Sequence, residues 1–292
     1  MAEQRPQLPS DLKREVRQRC GFGCVICGRP IYEYDHILGW AKVKRHLASE
    51  ITLLCDNHHR EKTAGFLPDE IVIKANQGPF NVQHGMTALH TLHYSGDQFL
   101  FKVGGIEFGG VVSCDAIRVD GEPILSARLE DGHFLLSLKV YDSSDDLILL
   151  IKDNELLLNA RLWDIEVVGS RITLREGQGA VLFDVLFQPP SSLIVMRGRF
   201  LRKGAELLVA RKYCVLLNNC LRLNMAIKNC SVGIDLGNGL PPSKGVCAVH
   251  IDGFPRYGWD REGAIRWVRS QVASLPQVTT AVDDLLNAGS LS

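Results

Sequence analysis

Two short residue pairs constrain this chain more than any hydrophobic run: Cys24-Val25-Ile26-Cys27 and Cys55-Asp56-Asn57-His58. A Cys-x-x-Cys turn aims two sulfurs at one point. A Cys-x-x-His pair at i and i+3 puts a third sulfur and an imidazole on one side of a helical turn. Three thiolates and one imidazole make a closed tetrahedral set, the pattern of a structural rather than a catalytic zinc ion. A redox reading of the Cys-x-x-Cys needs a flanking strand and helix in a βαβ context, which this stretch lacks. Cys20 precedes the first pair without a spaced partner and reads as a packed thiol.

The surrounding pattern supplies the elements. Pro9-Ser10-Asp11 signals a helix start with Ser10 as N-cap, and Leu12, Val16 and Cys20 recur at helical spacing. The helix is expected over residues 11–19. Lys13, Arg14 and Arg17 fall on its other faces, available to a DNA backbone or to solvent. Gly21 and Gly23 should break the helix and loosen the chain. The β-branched and aromatic content of Ile31 to Leu38, and of Ile51 to Leu54, predicts two strands. A helix follows from Asp56 to about Thr63-Ala64, with Gly65 as its stop.

Composition bounds the setting. The 292 residues carry no net formal charge, which gives no global attraction to a polyanion. Met1 to Lys62 holds eleven Lys/Arg against eight Asp/Glu, a local excess of three. Nine cysteines, an odd number in no disulfide-like framework, fit a reducing compartment. No run approaches the roughly 18 apolar residues of a membrane span, and no charged leader precedes an apolar stretch. A cytoplasmic protein without a membrane partner is expected.

With CVIC, YDHI, LLCDNHH and the trailing REK in register, the first quarter of the chain resembles the HNH endonuclease family, the ββα-metal fold. The resemblance implies a metal-dependent enzyme that cuts or nicks DNA. It implies that His36 is a general base and that Asp35 and His59 hold a catalytic Mg²⁺ or Mn²⁺. Cys24, Cys27, Cys55 and His58 would hold the structural Zn²⁺. Adjacent helical side chains diverge by about 100°, so His58 can face one ion and His59 the other. On a flat strand Asp35 and His36 face opposite ways, so the strand is expected to twist or bulge there. Where the family often has Asn, just before the second strand, this chain has Glu50. Glu50 could orient His36, join the metal site, or mark a centre that has lost activity and serves as a zinc-stapled binding module. Lys42, Lys44, Arg45 and His46 between the strands, with Arg60 and Lys62 after them, are candidate phosphate contacts or an exposed basic surface. Proteins of the family with an appended domain occur in bacteria and phages, including restriction and anti-phage defence.

Beyond Gly78-Pro79 the texture changes to short apolar runs split by Gly, Asp, Asn and Pro, about every ten residues. The expected class is α+β. It comprises an HNH domain over 1–78, a β-rich regulatory or interaction domain over 79–255, as a sandwich or stacked rungs, and a helical tail over 256–292. The tail would pack on the β domain or on a second subunit. Two stretches, 134–151 and 181–196, repeat a strand, a serine-containing turn and a strand. Trp163 reads as a core tryptophan beside a turn. The Gly-spaced run Gly233 to Gly239 reads as a β-turn, and His84, His90 and His93 lack a ligand pattern. An activating ligand, a protein partner or a second copy of the chain is left for the β domain by exclusion.

Overall fold

The computed structural model describes residues 6–110, 112–237, 245–256 and 258–289. The protein is mixed α+β and mostly β, with 43% strand and 23% helix. It divides into two compact units, one of residues 1–90 with 157–167, the other of 91–156 with 168–292. Among the described residues no helix is long and apolar enough to cross a membrane.

In the first unit the order is α1 (Ser10–Cys20), β1 (Glu33–His36), α2 (Trp40–Val43), β2 (Ile51–Leu54), α3 (Asp56–Thr63), α4 (Asp69–Gln77) and α5 (Phe80–His84). Ser10 is the first helical residue and not the cap; Pro9 holds the N-cap position, and no side chain caps the helix. The other end closes with Gly21 at φ 68° and Phe22 N–H donating to the Arg17 carbonyl at 2.9 Å. That is the left-handed, six-to-one closure for which glycine is suited. β1 and β2 pair antiparallel, with Asp35 opposite Thr52 and His36 opposite Ile51. β1 is half the length its composition suggests, because a turn from Gly39 N–H to the His36 carbonyl ends it. Val16, Ile51, Leu53, Leu54 and Val72 form a small core with Cys24 and Cys55.

The glycines around the first cysteine pair do not loosen the chain. A Cβ on Gly28 would sit 2.4 Å from both Asn81 Oδ1 and Phe80 Cδ1, so only glycine admits α5 there. Asn81 is fully buried and donates to the Gly21 carbonyl at 2.8 Å, and Phe80 N–H donates to Val25. Gly78-Pro79 therefore separates two helices of the same unit. The later segment 157–167 belongs to it as well. Arg17 does not face outward: it is 3% exposed, and its guanidinium grips the equally buried Asp164 with two bonds of 2.8 Å. Trp163 is half-buried beneath the Arg14 guanidinium, 5.2 Å from its ring centre, and not a tryptophan of the β core.

The second unit is built of long antiparallel meanders. One sheet runs 247–252, 232–237, 113–119, 122–130, 133–141 and 147–152 in spatial order; another runs 171–177, 180–188, 192–202, 205–210, 214–217 and 220–223. Two-residue turns with both φ positive join many of these strands: Asp120-Gly121, Asp131-Gly132, Lys203-Gly204 and Asn218-Asn219. That geometry matches strand twist and selects Gly, Asn and Asp. The two stretches with similar texture are both hairpins, one in each sheet. Phe99 packs on Phe101 and on Phe134, with ring centres at 4.8 and 5.5 Å, which joins strands of both sheets in one core. Gly233 to Gly237 is not a turn but a buried strand, parallel to 113–119 and 247–252; Asn238 and Gly239 lie outside the described residues. The tail forms helices Arg261–Val272 and Pro276–Gly289. They lay Ile265, Val268, Val282 and Leu285 onto Leu208, Cys214 and Leu216 of the β unit.

Candidate metal centre

Each half of the four-residue cluster is set by a local element. The turn after β2 gives Cys55, whose carbonyl accepts from His59 N–H at 2.8 Å and so starts α3. That start brings His58 one turn on, to the same side as Cys55. The other half is a tight loop: Gly28 N–H donates to the Cys24 carbonyl, Cys24 N–H to Arg29, and Val25 N–H to Leu53 of β2. The loop is thereby tied to the hairpin that carries the second half.

Four ligand atoms, the sulfurs of Cys24, Cys27 and Cys55 and a nitrogen of His58, lie within 4.8 Å of one another. His58 Nδ1 is 3.3 Å from both Cys24 Sγ and Cys55 Sγ, and Cys27 Sγ is 3.7 Å from Cys55 Sγ. A tetrahedral zinc ion with ligands at about 2.3 Å (S) and 2.0 Å (N) needs edges of about 3.8 Å between sulfurs and 3.5 Å from sulfur to nitrogen. These three edges lie within a few tenths of an ångström of that tetrahedron, so the cluster could hold such an ion. Hydrogen bonding by the Cys27 thiol pulls Cys24 down to about 4, and the same contact pushes Cys27 up. A bound metal ion would displace the protons of these thiols. Cys20 stands apart, fully buried against Thr52 and Asn76, and burial pushes its thiol up.

A second group lies across β1 and α3. His59 Nε2 is 3.5 Å from Asp35 Oδ1, and His59 Nδ1 is 3.2 Å from Glu33 Oε2. One imidazole is flanked by two carboxylates. Sequence reasoning missed Glu33; its signal was the two-residue alternation that puts it on the face of Asp35. Lys62 Nζ donates to Asp35 Oδ2 at 2.5 Å and to the His36 carbonyl at 2.8 Å, with its side chain only 10% exposed. Lys62 therefore braces β1 against α3. Among the described residues, the Cys24, Cys27, Cys55 and His58 cluster is the one group of three or more potential ligands this close together.

Asp35 and His36 do part company. The pairing of β1 with β2 is regular, without the bulge expected there. Asp35 turns toward α3, and the 2%-exposed His36 turns toward the segment that follows β1. Its ring meets Trp40 edge-on at 5.2 Å, and its Nε2 lies 3.2 Å from both the Arg45 carbonyl and His46 Nδ1. Glu50 spends its carboxylate on Arg45 Nε, at 3.1 and 3.2 Å, and that contact holds it below the ordinary carboxylate range. The remaining basic candidates are exposed. Lys42 pairs loosely with Asp69 at 3.8 Å, Lys44 caps α2 at φ 45°, and Arg60 lies on α3.

No family model, no curated protein and no solved structure matches the chain.

Proposed function

We propose that the first unit is an HNH-type nuclease module, which hydrolyses phosphodiester bonds of DNA with the help of a divalent ion. One observation carries the proposal. A four-ligand cluster pins α3 to the β1–β2 hairpin, and this sets His59 beside Asp35 while His36 ends the same strand. Asp35 and His59 would hold Mg²⁺ or Mn²⁺, with Glu33 as a further carboxylate; the donor set of hard oxygens and one imidazole suits such ions. When bound, the ion supplies Lewis acidity at the scissile phosphate and the leaving 3′ oxygen. The family resemblance gives His36 the proton of the attacking water, the role a neutral imidazole can fill near pH 7, and that role requires its ring to turn from the segment after β1 toward the Asp35–His59 side. Water oxygen bonds to phosphorus as the bond to the 3′ oxygen breaks. Lys42, Lys44 and Arg60 are exposed and would meet backbone phosphates, which gives affinity without sequence preference. Lys62 and Arg45 act within the site, as braces on Asp35 and Glu50. The β-rich unit is proposed to receive an activating ligand or a protein partner, or to join a second copy of the chain. Placement in bacterial or phage defence rests on the family resemblance alone.

A second reading is favoured by Lys62. Its ammonium neutralises the Asp35 carboxylate through Oδ2, next to the Oδ1 that faces His59, as in a zinc-stapled binding module without hydrolytic activity. Plasmid DNA incubated with the purified full chain and Mg²⁺ or Mn²⁺, beside His36→Ala, separates the two. The nuclease proposal expects nicking or linearisation that falls at least about 100-fold in the variant. Cleavage that survives in His36→Ala would count against the nuclease proposal with His36 as its base; binding of DNA without cleavage under either metal would support the binding module instead.

A further inference from the structure

The second unit holds a pocket of about 390 Å³ where the segment entering the helix Arg261–Val272 meets the strand 192–202 and the turn after it. Three arginines line it: Arg199, Arg256 and Arg261. Arg199 is 6% exposed, and its Nε donates to Glu206 Oε1 at 2.7 Å. Arg261 Nη1 donates to the same oxygen at 2.8 Å, so two guanidiniums converge on one carboxylate. Arg256 gives its Nη2 to Asp120. Three donors are left over. Among the described residues, Arg199 Nη1, Arg256 Nη1 and the indole Nε1 of Trp259, which also lines the pocket, are shielded from solvent and meet no hydrogen-bond acceptor. Glu176 Oε2, 3.9 Å from Arg199 Nη1, is too far for a hydrogen bond, and burial pushes its carboxyl up, toward the neutral form. Asp260 and Glu262, on the rim, are largely exposed and pair outward with Arg266. A buried N–H without an acceptor is costly, so three such groups around one pocket call for a ligand that brings acceptors.

We propose that this pocket binds a phosphoryl group presented by a small phosphate monoester, with Arg199, Arg256 and Trp259 as its donors. Guanidinium and indole N–H groups only donate, so the ligand atoms that face them must accept. A carboxylate has two oxygens to offer. The three donors come from two separate stretches of chain, and the three terminal oxygens of a tetrahedral phosphate point apart to meet them. The start of the helix Arg261–Val272 adds the positive end of its dipole beside them. The pocket is larger than a phosphoryl group alone requires and leaves room for an organic part. The proposal gives the β-rich unit a ligand class and stands apart from the nuclease reading.

The test is isothermal titration of the full chain, without DNA or divalent ion, with inorganic phosphate, glucose 6-phosphate and adenosine 5′-monophosphate. At least one monoester is expected to bind with a Kd of about 1 mM or below, more tightly than inorganic phosphate. Arg256→Gln removes a charged donor and should weaken that binding roughly 10- to 100-fold. Trp259→Phe keeps an aromatic ring on the apolar cluster under the C-terminal helices, loses the N–H, and should weaken it roughly 3- to 10-fold. Arg128→Gln alters an exposed arginine away from the pocket and should leave Kd unchanged. Thermal unfolding of each variant checks that the fold is kept. No binding of any of the three probes up to about 10 mM overturns the proposal. So does a Kd that Arg256→Gln and Trp259→Phe both leave unchanged, or an equal loss in Arg128→Gln. Inorganic phosphate bound as tightly as either monoester overturns the organic part and upholds a site for phosphate itself. Plasmid cleavage is measured on separate samples, so its failure bears on the nuclease reading alone.

Discussion

The two units solve the same problem with different means. The second unit buries whole faces of long strands, and its tight turns carry the Gly, Asn and Asp that the geometry demands. The first unit has short elements, a four-residue strand pairing and ten buried apolar residues in its main cluster. A core of that size leaves little stability after chain entropy is counted. It adds two polar devices, a sulfur-rich cluster that could hold a metal ion and a buried Arg17–Asp164 pair. Asp35 and His59, proposed to carry chemistry, lie on the strand and helix next to the cluster. The second unit also holds partly buried ion pairs, such as Arg118 on Asp235, beside a far larger set of buried apolar side chains.

The largest effect that can break this contrast is loss of metal. A structural zinc site contributes about 10–16 kcal/mol of apparent folding free energy in small zinc modules. Cys55→Ser, or strong chelation, should therefore unfold the first unit while amides of the strands at 133–141 and 180–188 stay protected. Hydrogen exchange read by mass spectrometry checks this. Loss of protection in both units together, or in neither, would contradict the contrast.

The next effect sharpens it. Asp164→Asn leaves the buried Arg17 guanidinium with only the part-exposed Glu166, at 3.3 Å, as a charge partner, at a cost of up to about 3 kcal/mol. Replacing both, as Arg17→Met with Asp164→Leu, should recover most of that cost. Denaturant unfolding of the single and double variants measures the difference. In the β unit, Leu285→Ala removes a fully buried side chain under the C-terminal helices. It should cost about 2–5 kcal/mol and leave the metal content of the first unit unchanged. Metal analysis beside thermal unfolding reads both outcomes. Smallest is Asp260→Ala: Asp260 accepts from Gly263 N–H at 2.7 Å and caps the helix Arg261–Val272, a contact worth about 1 kcal/mol. A shift in Tm as large as that of Leu285→Ala would show that more than a cap was lost.

Much of the first unit was legible because ligand spacing is a local code. The four cluster residues, β2 and α3 follow from it directly. What the chain hid were contacts across long separations. Nothing near Arg17 announces Asp164, 147 residues on, so a basic residue on a helix read as a surface charge. His46 read as one more member of a basic loop, because its partners are Pro6 behind it and His36 across a turn. In the β unit the strands 113–119 and 122–130 escaped notice. Asp115 and Arg118 interrupt one, Glu122, Pro123, Arg128 and Glu130 the other, and register shifts at Asp115/Ile117 and Ile117/Arg118 break the alternation of their buried residues. The turn chemistry between them, Asp120-Gly121, was the better signal.

The account depends most on the sulfur-and-imidazole cluster that ties α3 to the hairpin. X-ray absorption at the zinc edge on the purified full chain, with metal stoichiometry from the same sample, tests it most directly. The prediction is one zinc per chain with three sulfurs at about 2.3 Å and one nitrogen at about 2.0 Å, falling to substoichiometric zinc in Cys55→Ser. A chain that folds and holds no zinc, or a zinc shell of oxygen and nitrogen without sulfur, would contradict it.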